Sequence, residues 1–204
     1  MRRFGQAVRR PGWSWDVGVR GRPHCLGNIS PVLHGRAGLE DFFGWMRANF
    51  DPSVTWRDLE WVRAQWQGTL IIKGIMESDD AAKAVDLGAD GLVVSNHGGR
   101  QLDGAMSVAQ SLPAIAKRVG NRTVLLADGG VRSGVDIVRM IALGASAVLI
   151  GRPWAFALAG RGQAGVAHML ALFESEMRVT MALAGLADIA QIDASILART
   201  ALRD

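Results

Sequence analysis

The stretch SNHGGRQLDG, residues 95–104, sets an imidazole and a guanidinium three residues apart with two glycines between them. It follows directly on an apolar run, so His97 and Arg100 stand where a buried strand gives out. Imidazole is the side chain that takes and returns protons near neutral pH. Guanidinium grips a carboxylate through two parallel bonds. A base beside a carboxylate clamp suits an anionic substrate that must lose a proton. The competing reading is a structural histidine at a strand end, and spacing alone leaves both open. Metal binding is not indicated, because His24, His34 and His168 show no ligand spacing and Cys25 has no partner cysteine.

Two further stretches carry glycine beside a cation. ADGGVRSG (127–134) places Asp128, Gly129, Gly130, Val131 and Arg132 between an apolar run and a helical pattern, and LIGRP (149–153) does the same with Gly151 and Arg152. Glycine turns and helix N-termini let backbone N–H groups approach an anion closely, and an arginine can bind it bidentately. Either loop alone is weak evidence; two at consecutive strand ends are stronger. Lys73 closes an earlier apolar run, and Ser95 with Asn96 closes the one before His97.

The elements that must hold these groups are legible from residue 69 onward. TLIIK (69–73), GLVVS (91–95), TVLLA (123–127) and SAVLI (146–150) are short apolar runs without alternation, as in parallel strands covered on both faces. Helical patterns lie between them. SDDAAKAVDLG has Ser78 as its expected N-cap and closes on Gly88, and residues 133–144 repeat the design up to Gly144. LGADGLVV (87–94) and LGASAVLI (143–150) are a visible repeat. Strand and helix in alternation predict a parallel α/β fold with its polar strand ends on one face. A later helix over about 163–184 carries Val166, Met169, Leu170, Phe173 and Met177 on one apolar face, which reads as core packing.

Composition bounds the rest. The 204 residues are 49% hydrophobic and 21% charged, a well-cored globular balance, and no run reaches the roughly 18 apolar residues of a membrane span. A single cysteine points to a reducing compartment. The start of the chain is basic but has no apolar core of a secretory signal. The pI is about 10.2, yet the basic charge is local. Residues 1–50 hold eight Arg against Asp16, Glu40 and Asp41, a net +5, so the remainder sums to −1. Arginine interleaved with Trp13, Trp15, Phe42, Phe43, Trp45 and Phe50 suits a lipid headgroup region; the bland alternative is a solvated loop with some buried tryptophans. No nucleic acid is expected, since neither zinc-finger spacing nor an RRM signature occurs. Residues 10–36, rich in Gly, Pro and Trp, read as a long loop.

SNHGGRQLDG, with IKG upstream and DGGVRSG and IGRP downstream, resembles the FMN-dependent 2-hydroxy-acid dehydrogenases and oxidases. PGWSWDVGVRGRPHCLGNIS and GLEDFFGWMRANFDPSVTWRDLEWVR are more similar to the membrane-associated bacterial L-lactate dehydrogenases than to glycolate oxidase. The resemblance implies a TIM (β/α)₈ barrel, of which this chain holds the C-terminal half, strands five to eight, at residues 69–204. Residues 1–68 are then a basic, aromatic connecting segment, and the first four strands would lie upstream. It also implies FMN as cofactor, with Lys73 and Ser95 against the flavin and Asp128, Gly129, Gly130, Val131, Arg132, Gly151 and Arg152 cradling its ribityl phosphate. His97 resembles the base that deprotonates lactate, and Arg100 the residue that holds its carboxylate. The reaction implied is oxidation of L-lactate to pyruvate, with electrons passing to a quinone or cytochrome acceptor. The enzyme would be a homo-oligomer, peripheral on the cytoplasmic side of the inner membrane. Mandelate or glycolate is the alternative substrate, and an inactive fragment the alternative to an enzyme.

Overall fold

The computed structural model describes residues 2–21, 29–33 and 38–198; His24, Cys25 and His34 lie outside the described residues. The chain divides into two compact units, Met1–Val54 and Thr55–Asp204.

In the first unit, residues 11–20 of the expected loop (10–36) are helical, which corrects that part of the expectation, while 29–33 are turns. Helix α1 spans Arg2–Val8, α2 spans Pro11–Trp15 and continues as a π-helical stretch over Asp16–Arg20, and α3 spans Leu39–Asn49. The loop reading failed at Pro11. Proline in the first turn lacks only an N–H that would be unsatisfied there anyway, and its fixed φ suits a helix start. In α3, Glu40 and Asp41 in the first turn and Arg47 in the last complement the helix dipole.

The second unit opens with α4, Trp56–Gln65, so this helix groups with the sheet and not with the segment before it. The Asp58 carboxylate accepts from the Thr55 hydroxyl and backbone N–H, both at 2.7 Å. Those bonds, the hydroxyl first, hold it below the usual carboxylate range.

The sheet is parallel and in chain order: β1 (Ile71–Ile75), β2 (Gly91–Val94), β3 (Val124–Ala127) and β4 (Ala147–Val148). Helices α5 (Ser78–Asp86), α6 (Val108–Val119), α7 (Gly134–Ala142) and α8 (Arg152–Leu183) alternate with the strands. Glu77, not Ser78, is the N-cap of α5; Ala81 N–H bonds the Glu77 carbonyl, so the helix begins one residue sooner. Both members of the sequence repeat end alike. Gly88 and Gly144 are left-handed, and each is followed by an alanine whose N–H reaches back to close the helix (Ala89 to Ala84, Ala145 to Met140).

The core forms where α5 and α6 pack on β2 and β3, around Leu92, Val94, Leu112, Ile115 and Leu125. Burying a side chain of this size contributes about 1.5–3 kcal/mol. Cover on both faces, expected of every strand, holds along the whole of β2 alone. The edge strands are more open, with Ile71 49% exposed.

Helix α8 begins well before residue 163, at Arg152, and breaks at Arg161–Gly162, where φ is −145° and +57°. Its second part carries the expected apolar stripe with one exception. Met169 and Phe173 are buried, and Met177 packs against Val138 and Ala142 of α7, but Leu170 is 52% exposed.

Candidate active site at the strand ends

A cavity of about 740 Å³ opens at the C-terminal ends of the strands, lined by Lys73, His97, Arg100, Asp128–Arg132 and the segment from Leu149 to Phe156. Lys73 is not at the end of β1 but inside it. The pairing runs Lys73 with Val93 and then Ile75 with Val94, so Gly74 is an extra residue, with φ +102°. A bulge of this kind re-aims the neighbouring side chain. Here it lets the strand continue while the Lys73 ammonium reaches across to the next two strand ends.

Three consecutive strands meet in one polar network. Lys73 Nζ lies 2.7 Å from Ser95 Oγ and 2.7 Å from Asp128 Oδ2. Ser95 donates its hydroxyl proton to Asp128 Oδ1 and accepts His97 N–H at 3.1 Å. A serine hydroxyl has one proton and two lone pairs, and all three are used. Ser95 is 2% exposed. The Lys73–Asp128 pair is more open, at 41% and 19% of its side chains, so the ammonium still faces the cavity.

Beyond β3, Gly129 and Gly130 are both left-handed, at φ +97° and +82°. Among the described residues the N–H groups of Gly129, Gly130 and Val131 donate to no protein acceptor. They form a short arc of free donors beside the Lys73 and Arg132 cations. The Val131 side chain belongs to the apolar core instead, so only its backbone faces a ligand. Arg132 N–H is taken by Asp136 at 3.0 Å, while its guanidinium lines the cavity. Gly151 is the N-cap of α8, and Arg152 is its first residue. The Arg152 guanidinium donates to the Gly98 carbonyl.

His97 opens a 3₁₀ turn, His97–Gly99, that follows β2. Gly99 N–H bonds the Asn96 carbonyl at 3.0 Å. Asn96 Nδ2 bonds the Met106 carbonyl at 3.2 Å and closes the base of the loop. Among the described residues, neither the His97 ring nor the Arg100 guanidinium has a hydrogen bond or ion pair with protein. Both stand free at the cavity wall, an arrangement that suits a carboxylate ligand with an adjacent acidic proton. Asn96 had no role from the sequence. Its Oδ1 is buried without a partner and faces Gly129, where a Cβ would come within 3.0 Å. Trp154 and Phe156 also line the cavity; no sequence pattern singled them out. Among the described residues no group of His, Cys, Asp and Glu could hold a metal ion, and no helix is long and apolar enough to cross a membrane.

Known proteins share this arrangement of strands and loops. The family model for FMN-dependent dehydrogenases matches residues 1–199. The L-lactate dehydrogenase of Caulobacter sp. (strain K31) is 62% identical over 200 residues, 98% of this chain and 53% of its own length. That of Alcaligenes faecalis is 56% identical over 199 residues, 98% of this chain and 52% of its own. The chain thus spans about half the length of the curated relatives it matches. Among solved structures, the monotopic membrane protein (S)-mandelate dehydrogenase superposes with a TM-score of 0.75 at 38% identity, over 80% of this chain and 43% of that one. A mandelate oxidase variant with a monooxide FMN adduct gives 0.65 at 48% identity, over 70% and 45%. The four-stranded parallel sheet is therefore half of a (β/α)₈ barrel, and the chain belongs to the family of FMN-dependent dehydrogenases.

Proposed function

We propose that this chain serves FMN-dependent oxidation of L-lactate to pyruvate. The observation that carries the reading is the free His97–Arg100 pair beside the Lys73–Ser95–Asp128 network. The residues present fit FMN. Gly130 and Gly151 open on space that a ligand can occupy, with nothing within 4 Å of a Cβ added at either. The free N–H groups of Gly129–Val131 with Arg132 and Arg152 suit its phosphate. Asp128 suits ribityl hydroxyls, and Lys73 and Ser95 the ring. When bound, the flavin supplies a two-electron acceptor. The protein's share is then positioning and proton transfer. Arg100 holds the lactate carboxylate, and the His97 imidazole takes the proton released as the hydroxyl-bearing carbon becomes a ketone.

In the first unit Phe4, Trp13 and Trp15 are 76%, 50% and 56% exposed, with Arg9, Arg10 and Arg20 in the same segment. This supports a peripheral contact with anionic lipid on the cytoplasmic side of the inner membrane, and so delivery of electrons to a membrane quinone or cytochrome. The relatedness to a monotopic mandelate dehydrogenase favours the same placement.

The test is loss of flavin absorbance on anaerobic mixing of the FMN-loaded enzyme with L-lactate, mandelate or glycolate. Lactate should react fastest. His97→Ala should keep its yellow FMN and react at least about 100-fold more slowly. Near-normal reaction in that variant, or a clear preference for mandelate, would overturn the assignment.

A further inference from the structure

The turn that presents His97 is left-handed at three successive residues, with φ +56° at His97, +66° at Gly98 and +69° at Gly99. Among the described residues His97 is the only non-glycine with positive φ. Such a backbone persists only where its surroundings over-determine it. Ser95 holds one side by accepting His97 N–H. The other side is held from across the cavity, by the guanidinium of Arg152 on the Gly98 carbonyl. Glycine is favoured there by the φ of +66°, and a Cβ would also crowd Arg152 Nη2 at 2.8 Å.

We propose that Arg152 is a positioning residue for the substrate loop, acting through Gly98 on His97 and Arg100 in addition to any contact with the cofactor phosphate. The proposal rests on the reading of His97 as base and Arg100 as carboxylate clamp. Arg152 bonds the peptide carbonyl between those two residues. Its five donors in a rigid fork can serve an anion and a carbonyl together, which the point charge of lysine cannot do in two directions.

The experiment uses the FMN-loaded enzyme and the variants Arg152→Lys and Gly98→Ala. At saturating FMN, Arg152→Lys should lose about 10- to 100-fold in kcat/KM for L-lactate. Gly98→Ala crowds the same guanidinium and strains a left-handed backbone, and at saturating FMN should lose at least a similar factor. Because both break one contact, the double variant should lose no more than the worse single one. Millisecond amide exchange at Gly99 and Arg100 should quicken in Arg152→Lys, a readout independent of turnover. Unchanged lactate constants and unchanged exchange in Arg152→Lys, or losses that multiply in the double variant, overturn the proposal. Failure of the underlying reading looks different: a parent enzyme that no 2-hydroxy acid reduces, for which the exchange comparison still decides whether Arg152 holds the loop.

Discussion

Ser95→Ala is the most informative single deletion in this site. It removes one oxygen that serves three partners, one inside β1 and the others just past the ends of β2 and β3. His97 N–H loses its acceptor, but His97 is exposed, so water can replace the bond and the cost is about 1 kcal/mol. Asp128 Oδ1 loses its donor, although Lys73 still pairs with the other oxygen at 2.7 Å, and water reaches a carboxylate that is 19% exposed. That part of the loss is therefore small, on the order of 1 kcal/mol. The total is about 2 kcal/mol, against a typical domain stability of about 5–15 kcal/mol. For a protein of this size it should lower the melting temperature by roughly 4–8 °C. Ser111→Ala is the matched control. Ser111 is also buried, at 4% exposure, but its hydroxyl makes one weak bond, to Met106 Sδ at 3.2 Å. Its removal should cost less than about 1 kcal/mol. Thermal unfolding followed by circular dichroism, with both variants side by side, measures the difference. Equal melting temperatures for Ser95→Ala and Ser111→Ala would refute the idea that Ser95 joins the three strand ends.

Arg100→Lys should raise KM for L-lactate more than it lowers kcat, because an ammonium cannot reproduce a planar two-bond clamp; steady-state kinetics at saturating FMN checks this, and unchanged constants would remove Arg100 from the role. Gly134→Ala should destabilise the protein by about 2 kcal/mol or more, since the new Cβ would sit 2.1 Å from the Phe173 carbonyl oxygen and 2.6 Å from Met177 N. Gly160→Ala meets nothing within 4 Å and should instead be neutral or stabilise by up to about 1 kcal/mol; denaturant titration of the pair tests both signs.

The sequence showed that polar residues stand at successive strand ends, because apolar runs stop abruptly at Ser95, Asp128 and Gly151. It could not show which of those residues touch. That depends on the order of strands in the sheet, and the chain order β1-β2-β3-β4 is what brings Lys73, Ser95 and Asp128 within one hydrogen bond of each other. The position of Lys73 was misjudged because a charged residue closes the apolar run TLIIK, whereas the glycine after it, at φ +102°, permits a bulge inside a continuing strand. Gly134 was legible as part of a glycine-rich anion loop. Its structural demand comes instead from α8, whose backbone passes so close that no side chain fits. The helices of the first unit were hidden by local composition, since glycine, proline and tryptophan favour a loop reading until the proline is placed at a helix start. The contact between Arg152 and Gly98 spans 54 residues and two strands, beyond the reach of any local pattern.

The sheet's chain order also bears on how the protein is made. Each strand pairs with the one synthesised just before it, across a single helix and its loops, so loop closure at every step is short. A chain emerging from the ribosome can add β2 to β1 and then β3 to β2 as each becomes available. The site does not mature at the same pace. Its polar network is incomplete until Asp128 arrives after the third strand, and the His97 turn lacks its second anchor until Arg152 follows the fourth. A nascent chain stopped between them would carry most of the apolar core and a histidine with nothing to hold its turn from across the cavity. Affinity for flavin and competence toward substrate should therefore appear late in synthesis and close together, after the scaffold that supports them has already condensed.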